Sequence, residues 1–303
     1  MGRLALRPAL RSYAHAQAVE EAGDFTPASI SGTLLWLDPA DDSTITYSSG
    51  SVPSAIEDKG YLNTAWNPTS DPALGSLSAQ SFSFFGVSGS YEINTISGKG
   101  NGNKFYLRNV LAGVDYSRAT CTPTGSPYNL TSGAGSAAVE SDWFLWRVIY
   151  IGAGTDDALC WNQFQRGVVG STPAFCREKP SGVAAGHWVN ILGDWTSGYT
   201  VPQTPFDTNP AGYLSFIGLQ SYDDSGTRKY RFTHDGVNWY GSFAHNQTNA
   251  TPSASYNVWR WGLQGTDRDI ALGDCGFVSG TISAADMLSL YNYLDAKWGF
   301  DLP

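Results

Sequence analysis

The sequence predicts an all-β sandwich that is closed by one amphipathic helix near its C-terminal end. Short apolar segments rich in β-branched and aromatic residues recur along the chain, each bounded by Gly, Pro, Asn or Asp. The 303 residues include 34 Gly and 15 Pro but only 2 Met, a loop-rich composition that disfavours a helical fold. Only residues 283–298 carry a strong helical period.

This helix is predicted from its ends and from its apolar stripe. Ser283 can cap the first turn, and Asp286 follows three residues later, where a carboxylate favours the free amides. Lys297 lies in the last turn and Gly299 just beyond it, the expected stop. The apolar stripe consists of Met287, Leu290, Tyr291, Leu294 and Trp298. We expect this stripe to cover the sandwich.

The predicted strands fill the body of the chain. Trp143–Ile151 is nearly continuous in β-branched and aromatic residues, so we expect it at the centre of a sheet. A hairpin is expected around residues 48–50. The other candidate strands are 33–38, 81–87, 104–107, 188–195, 213–222, 229–234, 256–262 and 270–278.

Residues 1–31 differ from the remainder of the chain. They run from basic to acidic, beginning with Arg3, Arg7 and Arg11. A segment of this kind buries little apolar area by itself, so we expect it to dock against its own domain or, as we favour, to anchor the domain formed by residues 32–303 to a partner.

Composition excludes several classes of function. A net charge of -9 disfavours a nucleic-acid binder, which needs a basic face. No apolar run approaches the roughly 20 residues of a membrane helix, and the first 22 residues lack the pattern of a signal peptide. We therefore expect synthesis in a cytoplasm without classical export. The scattered cysteines form no zinc motif; Cys160 and Cys176 are either bonded across a hairpin or, as we favour, free thiols.

Two segments resemble a known family. Residues 30–41, Ile-Ser-Gly-Thr-Leu-Leu-Trp-Leu-Asp-Pro-Ala-Asp, resemble the opening strand of concanavalin A-like (LamG-like) jelly-roll domains, which occur in bacterial surface proteins and phage structural proteins. Residues 282–300 resemble the terminal helix of that family, and 58–60 keep only the Asp-Lys-Gly part of a family turn. The resemblance implies a two-sheet jelly roll whose first and last strands lie side by side, with Trp36 and Trp298 buried there.

Candidate catalytic and metal-binding residues are few. Glycosidases on this fold carry paired glutamates on one strand, whereas here Glu140 and Asp142 stand before the strong strand without such an array. We expect no enzymatic activity. Adjacent loop carboxylates are hard oxygen ligands of the kind that calcium uses, and they are also ordinary turn residues. The calcium candidates are Asp156, Asp157, Asp223 and Asp224. No other cofactor is expected.

Aromatic residues give the candidate binding site, because their faces stack on the C–H surfaces of sugars. Those in or near predicted loops are Trp66, Trp161, Tyr199, Tyr222, Trp239 and Tyr240. Residues 233–239 also resemble the Asp-box hairpin, with shortened spacing. There we expect a structural role, in which Asp235-Gly236 makes a tight turn and Trp239 packs back on the hairpin.

Together with the resemblance, these observations lead to a hypothesis and two alternatives. The leading hypothesis is a non-enzymatic bacteriophage virion protein (capsid decoration, head fibre, or tail fibre or tip), made in the host cytoplasm. Its arm would bind other virion proteins, the chain would form a homo-oligomer, and the sandwich would bind host-surface glycans weakly. The first alternative is a bacterial carbohydrate-binding or adhesin module, and the second is a glycoside hydrolase using Glu140 or Asp142.

Overall fold

The structure is a computed structural model of the chain. It describes residues 25–60, 81–85, 91–108, 116–121, 131–132, 139–140, 142–151, 159–165, 173–176, 189–192, 213–244, 258–264 and 270–301. The predicted anchoring arm, including Arg3, Arg7 and Arg11, lies almost wholly outside these residues. At its end, Phe25 packs edge-on against Tyr293 with ring centroids 6.0 Å apart.

Strands make up most of the described chain. They are β1 (Thr33–Leu37), β2 (Ile45–Ser49), β3 (Val52–Glu57), β4 (Ser81–Phe85), β5 (Tyr91–Thr95), β6 (Lys104–Arg108), β7 (Tyr116–Cys121), β8 (Thr131–Ser132), β9 (Val139–Glu140), β10 (Trp143–Ile151), β11 (Leu159–Gln165), β12 (Pro173–Cys176), β13 (Val189–Leu192), β14 (Tyr213–Asp224), β15 (Thr227–Thr233), β16 (Tyr240–Ala244), β17 (Val258–Gln264) and β18 (Ile270–Ser279). One α-helix, α1 (Ala284–Trp298), follows β18.

Two antiparallel sheets form the body. The larger has the order β16-β15-β14-β10-β18-β6-β5, with β1 also paired to β18. The smaller has the order β11-β17-β7-β4-β3-β2, and β12-β13 and β8-β9 form two-stranded ribbons. The predicted all-β sandwich with a C-terminal helix is therefore confirmed.

The centre of the larger sheet lies where the sequence predicts it. β10 pairs with β14 on one side and β18 on the other, and Phe144 and Trp146 on it are fully buried. β1 lies beside β18, with Trp36 opposite Gly276, so the first and last strands are neighbours as expected. A Cβ on Gly276 would come within 2.7 Å of the Leu35 carbonyl oxygen, so the close approach of β1 requires glycine there.

Helix α1 confirms the predicted boundaries. The Ser283 hydroxyl accepts the backbone N–H of Asp286 at 3.0 Å, and Gly299 ends the helix at φ 65°. The apolar stripe packs on the face of the larger sheet that carries Phe144 and Phe216. Its members Met287, Leu290, Leu294 and Trp298 are fully buried, and Tyr291 is half-buried. In the described part of the chain, no helix is long and apolar enough to cross a membrane.

Some predicted elements differ in extent or pairing. β14 continues past the predicted end at residue 222 to Asp224, and β13 lies within the predicted 188–195 segment, whose other residues lie outside the description. Cys160 lies on β11 and Cys176 on β12, which pair with β17 and β13 respectively and not with each other. The two strands nevertheless lie close to each other, and both cysteine side chains lie outside the described set, so the bonded and the free alternatives both stay predictions.

Candidate functional site

The turn between β15 and β16 is organised by Asp235. One carboxylate oxygen accepts the backbone N–H groups of Val237 at 2.9 Å and Asn238 at 2.8 Å. The other accepts the Asn238 side-chain amide at 2.8 Å and the Tyr240 hydroxyl at 2.9 Å. Burial raises the pKa of Asp235, but these donors more than offset it and hold the pKa at about 2. The carboxylate is therefore ionised and fixes the turn, the structural role that the sequence predicts.

Gly236 brings this turn against helix α1. Its φ of +68° is left-handed, and a Cβ built there would lie 2.3 Å from the Cβ of Tyr291. The turn therefore contacts the helix directly, and the hairpin is held from two sides: by the Asp235 carboxylate and by α1.

The face of the larger sheet that carries helix α1 continues onto β14 and β15. Gln220 pairs with Arg231, and Tyr222 pairs with Lys229. Directly opposite residues share a face of an antiparallel sheet, and diagonal neighbours on that face are within reach of long side chains. Tyr222 and Arg231 consequently project from the same side of the sheet.

Two aromatic rings flank Arg231 on this face. Its guanidinium carbon lies 4.8 Å from the ring centroid of Tyr222 and 4.1 Å from that of Trp239. Trp239 packs edge-on against Phe144, with ring centroids 6.0 Å apart and an interplanar angle of 88°. Tyr222, Arg231 and Trp239, each only partly buried, form what we call the aromatic–arginine patch.

Tyr240 belongs to the hairpin but not to the patch. It pairs with Phe232, whose side chain points away from that of Arg231 because successive strand residues alternate. Its ring stacks on His234 with centroids 4.6 Å apart. Tyr240 therefore supports the turn from the other face.

Arg231 has no carboxylate partner within the part of the chain that the structure describes. Its Nε is buried and makes no hydrogen bond. Burial lowers the pKa of Arg231, and the nearby Tyr222 offsets this only in part. Lys229, two residues earlier on the same face, is in contrast paired with Asp224. A buried donor without an acceptor costs free energy, so Arg231 is a site that gains by binding an acceptor.

Of the remaining predicted aromatic residues, only Trp161 lies on a described element, and that element is not part of this patch. Trp161 lies on β11, in the smaller sheet. Trp66 and Tyr199 lie outside the described residues. Two of the six predicted binding residues, Tyr222 and Trp239, thus meet around an arginine that the sequence reasoning missed. The available signal was the two-residue alternation that places Lys229, Arg231 and Thr233 on one face.

Among the predicted calcium ligands and acids, Asp223 and Asp142 are in contact. The Asp223 carboxylate accepts the N–H of Gly226 at 3.0 Å, and the Asp223 N–H donates to Asp142 at 3.0 Å. In the described chain, no group of three or more His, Cys, Asp or Glu is placed to hold a metal ion. Asp156 and Asp157 lie outside the description, and Glu140 lies on β9. Calcium binding and the absence of enzymatic activity stay predictions.

A buried charge cluster joins β1, β18 and α1. Lys297 donates to Asp38 at 2.6 Å and to Asp274 at 2.8 Å, while Lys59 donates to Asp38 at 2.9 Å. Lys59 also lies over the Trp36 ring, 4.2 Å from its centroid. The sequence reasoning assigned Lys297 only to the end of the helix and missed this cluster, because the ion pairs join residues far apart in the chain.

The two carboxylates of the cluster have opposite pKa shifts. Burial and the nearby Asp38 raise the pKa of Asp274 to about 7. Burial also opposes ionisation of Asp38, but Lys297 and Lys59 more than offset it and lower its pKa. Asp274 is 0% exposed, so no ligand reaches it from solvent. The cluster is therefore structural.

Comparison with solved structures shows which fold this chain shares with known proteins. No protein-family model matches the chain, and no curated protein matches it. Among solved structures, the binding domain of botulinum neurotoxin DC in complex with rat synaptotagmin II is similar, with a TM-score of 0.54 and 10% identity over 87% of this chain and 52% of that chain. The same domain in complex with SialylT gives a TM-score of 0.53 and 10% identity over 87% and 52%.

A third similar structure is titled "Cell entry of botulinum neurotoxin type C is dependent upon interaction with two ganglioside molecules". It gives a TM-score of 0.54 and 10% identity over 87% of this chain and 51% of that chain. The chain shares a β-sandwich fold with these domains. It spans about half of their length, and at this identity the likeness extends to the fold alone.

Proposed function

We propose that this protein is a carbohydrate-binding module and that the aromatic–arginine patch is its binding surface. The observation that carries the proposal is the convergence of Tyr222 and Trp239, both partly exposed, on Arg231. Both rings are of the type that stacks on sugar C–H faces, and an arginine beside them supplies hydrogen-bond donors for sugar oxygens.

The patch is held in place before any ligand binds. Trp239 is packed against Phe144, and the turn that precedes it is fixed by Asp235. A binding surface whose side chains are already ordered loses less conformational entropy on association, which favours binding of a small polar ligand.

The solved structures support this function more than the virion hypothesis. Their titles name SialylT and ganglioside molecules for botulinum neurotoxin binding domains, whereas none of those cited names a virion. The likeness also agrees with a concanavalin A-like jelly roll, and we include this finer fold assignment in the proposal. An anchoring role for the arm, residues 1–31, remains a separate hypothesis; its test is a truncation that removes residues 1–24 and keeps Phe25, since that residue packs on α1.

A glycan array followed by calorimetry on the best ligands tests the proposed function. We expect Trp239→Ala and Tyr222→Ala to weaken binding at least tenfold, because each removes a stacking face. Tyr47→Ala is the matched control: Tyr47 is also partly exposed but lies on β2, in the other sheet. Failure of the wild-type protein to bind any glycan, or equal losses in all three variants, would contradict the proposal.

A further inference from the structure

We infer that the ligand of the aromatic–arginine patch is an acidic saccharide, whose carboxylate or sulfate group is bound by Arg231. This inference rests on the proposed function and names the class of sugar. It depends on three observations about Arg231: its aromatic neighbours, its unsatisfied Nε, and its lack of an acidic partner among the described residues.

The aromatic contacts determine which part of the guanidinium is available. A guanidinium is planar, with five N–H donors in its plane, and it stacks on aromatic faces. The contacts at 4.8 Å to Tyr222 and 4.1 Å to Trp239 place the guanidinium over two aromatic rings and consume none of these donors as hydrogen bonds. The in-plane donors match the spacing of two oxygens on a carboxylate or sulfate.

The unsatisfied Nε shows that no acceptor of the protein compensates this part of the guanidinium. This atom is buried and has no hydrogen-bond partner, so a ligand oxygen would meet the other donors of the partly buried side chain. A neutral sugar hydroxyl offers one acceptor oxygen, whereas an oxyanion offers two or more and also compensates the charge. A charge-assisted bidentate pair is therefore the strongest interaction that this geometry supports.

The surrounding charges make Arg231 distinct from the lysines of the described residues. Lys59, Lys99, Lys104, Lys229 and Lys297 each pair with an aspartate. Arg231 is flanked on its face by Tyr222 and by Lys229, whose charge is already compensated by Asp224. An anionic group brought to this face therefore meets an uncompensated positive charge.

The net charge of the whole chain favours short acidic saccharides over long acidic polymers as ligands. At -9, the protein repels long polyanions over the range at which charges act in solution. A saccharide with one or two acidic groups can bind Arg231 with little of this repulsion, because it carries few negative charges. We therefore expect short acidic oligosaccharides to bind better than heparin-like polymers.

The test compares neutral glycans with acidic derivatives of the same backbone. Lactose, 3′-sialyllactose and lactose 3′-sulfate form one such set, and galacturonate and galactose oligomers form another. Calorimetry on the full chain measures wild type, Arg231→Gln, Arg231→Lys and Trp239→Ala. Thermal unfolding of each variant checks that the fold is intact.

We expect the carboxylated or sulfated member of at least one set to bind at least tenfold more tightly than its neutral parent. Arg231→Gln should remove this preference, Arg231→Lys should restore part of it, and added salt should weaken it. The two acidic members distinguish carboxylate from sulfate.

Two other outcomes separate the inference from the proposed function. Equal binding of neutral and acidic members, lost in Trp239→Ala but unchanged in Arg231→Gln, overturns the acidic class and leaves the carbohydrate-binding function standing. No binding of any saccharide by the wild-type protein overturns both.

Discussion

The indole N–H groups of Trp36 and Trp298 donate to the two oxygens of one buried carboxylate. Trp36 Nε1 lies 3.0 Å from Asp274 Oδ2, and Trp298 Nε1 lies 3.2 Å from Asp274 Oδ1. Trp36 is on β1, Asp274 on β18 and Trp298 at the end of α1. One acidic side chain therefore ties together the first strand, the last strand and the helix.

Removing this carboxylate should be among the more destabilising single changes in the domain. Asp274→Ala leaves two indole donors without acceptors and Lys297 with Asp38 alone, which we expect to cost about 3–5 kcal/mol. Asp42→Ala is the control, since its ion pair with Lys104 is exposed and is worth at most about 1 kcal/mol. Urea unfolding at pH 7.5 measures both, and equal losses would contradict the central role of Asp274.

The raised pKa of Asp274 predicts a dependence of stability on pH. Its folded-state pKa of about 7 lies above the value of about 3.9 in an unfolded chain, so the folded state binds this proton more tightly. The stability that it contributes is complete below pH about 4 and is lost as the pH rises through 7. Asp274→Asn removes this titration.

Urea midpoints of wild type and Asp274→Asn between pH 4 and 8 test this sign. We expect the wild-type midpoint to fall relative to the variant as the pH rises. Asp41 and Asp235 have pKa values of about 2, so their stabilising contributions are lost only as the pH falls below about 4, outside this window. Parallel profiles would show that Asp274 does not titrate there.

Alanine substitutions at two glycines distinguish the cost of backbone strain from the cost of a clash with helix α1. Gly236 and Gly226 both have positive φ, +68° and +87°, but only at Gly236 would a Cβ collide with Tyr291. Alanine at either position costs about 1 kcal/mol or more for the left-handed backbone. Gly236→Ala should lose clearly more than Gly226→Ala in chemical denaturation. A difference close to zero would mean that the turn does not press on α1.

Two leucines on helix α1 test whether its apolar stripe is buried against the sandwich. Leu294 is 0% exposed, whereas Leu288 is 42% exposed. We expect Leu294→Ala to cost about 2–5 kcal/mol and Leu288→Ala to stay within about 0.5 kcal/mol. Thermal melts of the two variants check this, and similar melting temperatures would argue against burial of the predicted stripe.

The sequence predicts the elements whose signals are local. The cap at Ser283, the stop at Gly299 and the apolar period between them are contained in a few turns of one helix. The same holds for Trp143–Ile151, where apolar character interrupted only by Arg147 indicates burial on both faces. Pairing of strands beyond hairpins depends on contacts far apart in the chain, which is why the order of the strands in the two sheets is not predicted from the sequence.

The candidate site is only half predictable for the same reason. Tyr222 and Trp239 were selected as aromatic residues near loops, and Asp235-Gly236 as a tight turn. Arg231 gains its importance from Tyr222 on the neighbouring strand and Trp239 beyond the turn, a relation set by the register of β14 with β15. Lys297 likewise becomes part of a buried cluster only once α1 returns over β18.

Because Phe25 contacts Tyr293, the first described residues lie beside helix α1, the last element of the domain. A short flexible linker between residues 25 and 301 would therefore close the chain into a ring without crossing the sandwich. New ends could then be opened at the turn around Gly50, where nothing lies within 4 Å of an added Cβ. Such a circular permutant would present its ends between β2 and β3 of the smaller sheet, whereas the patch belongs to the larger sheet, which suits attachment to a surface with the patch left free.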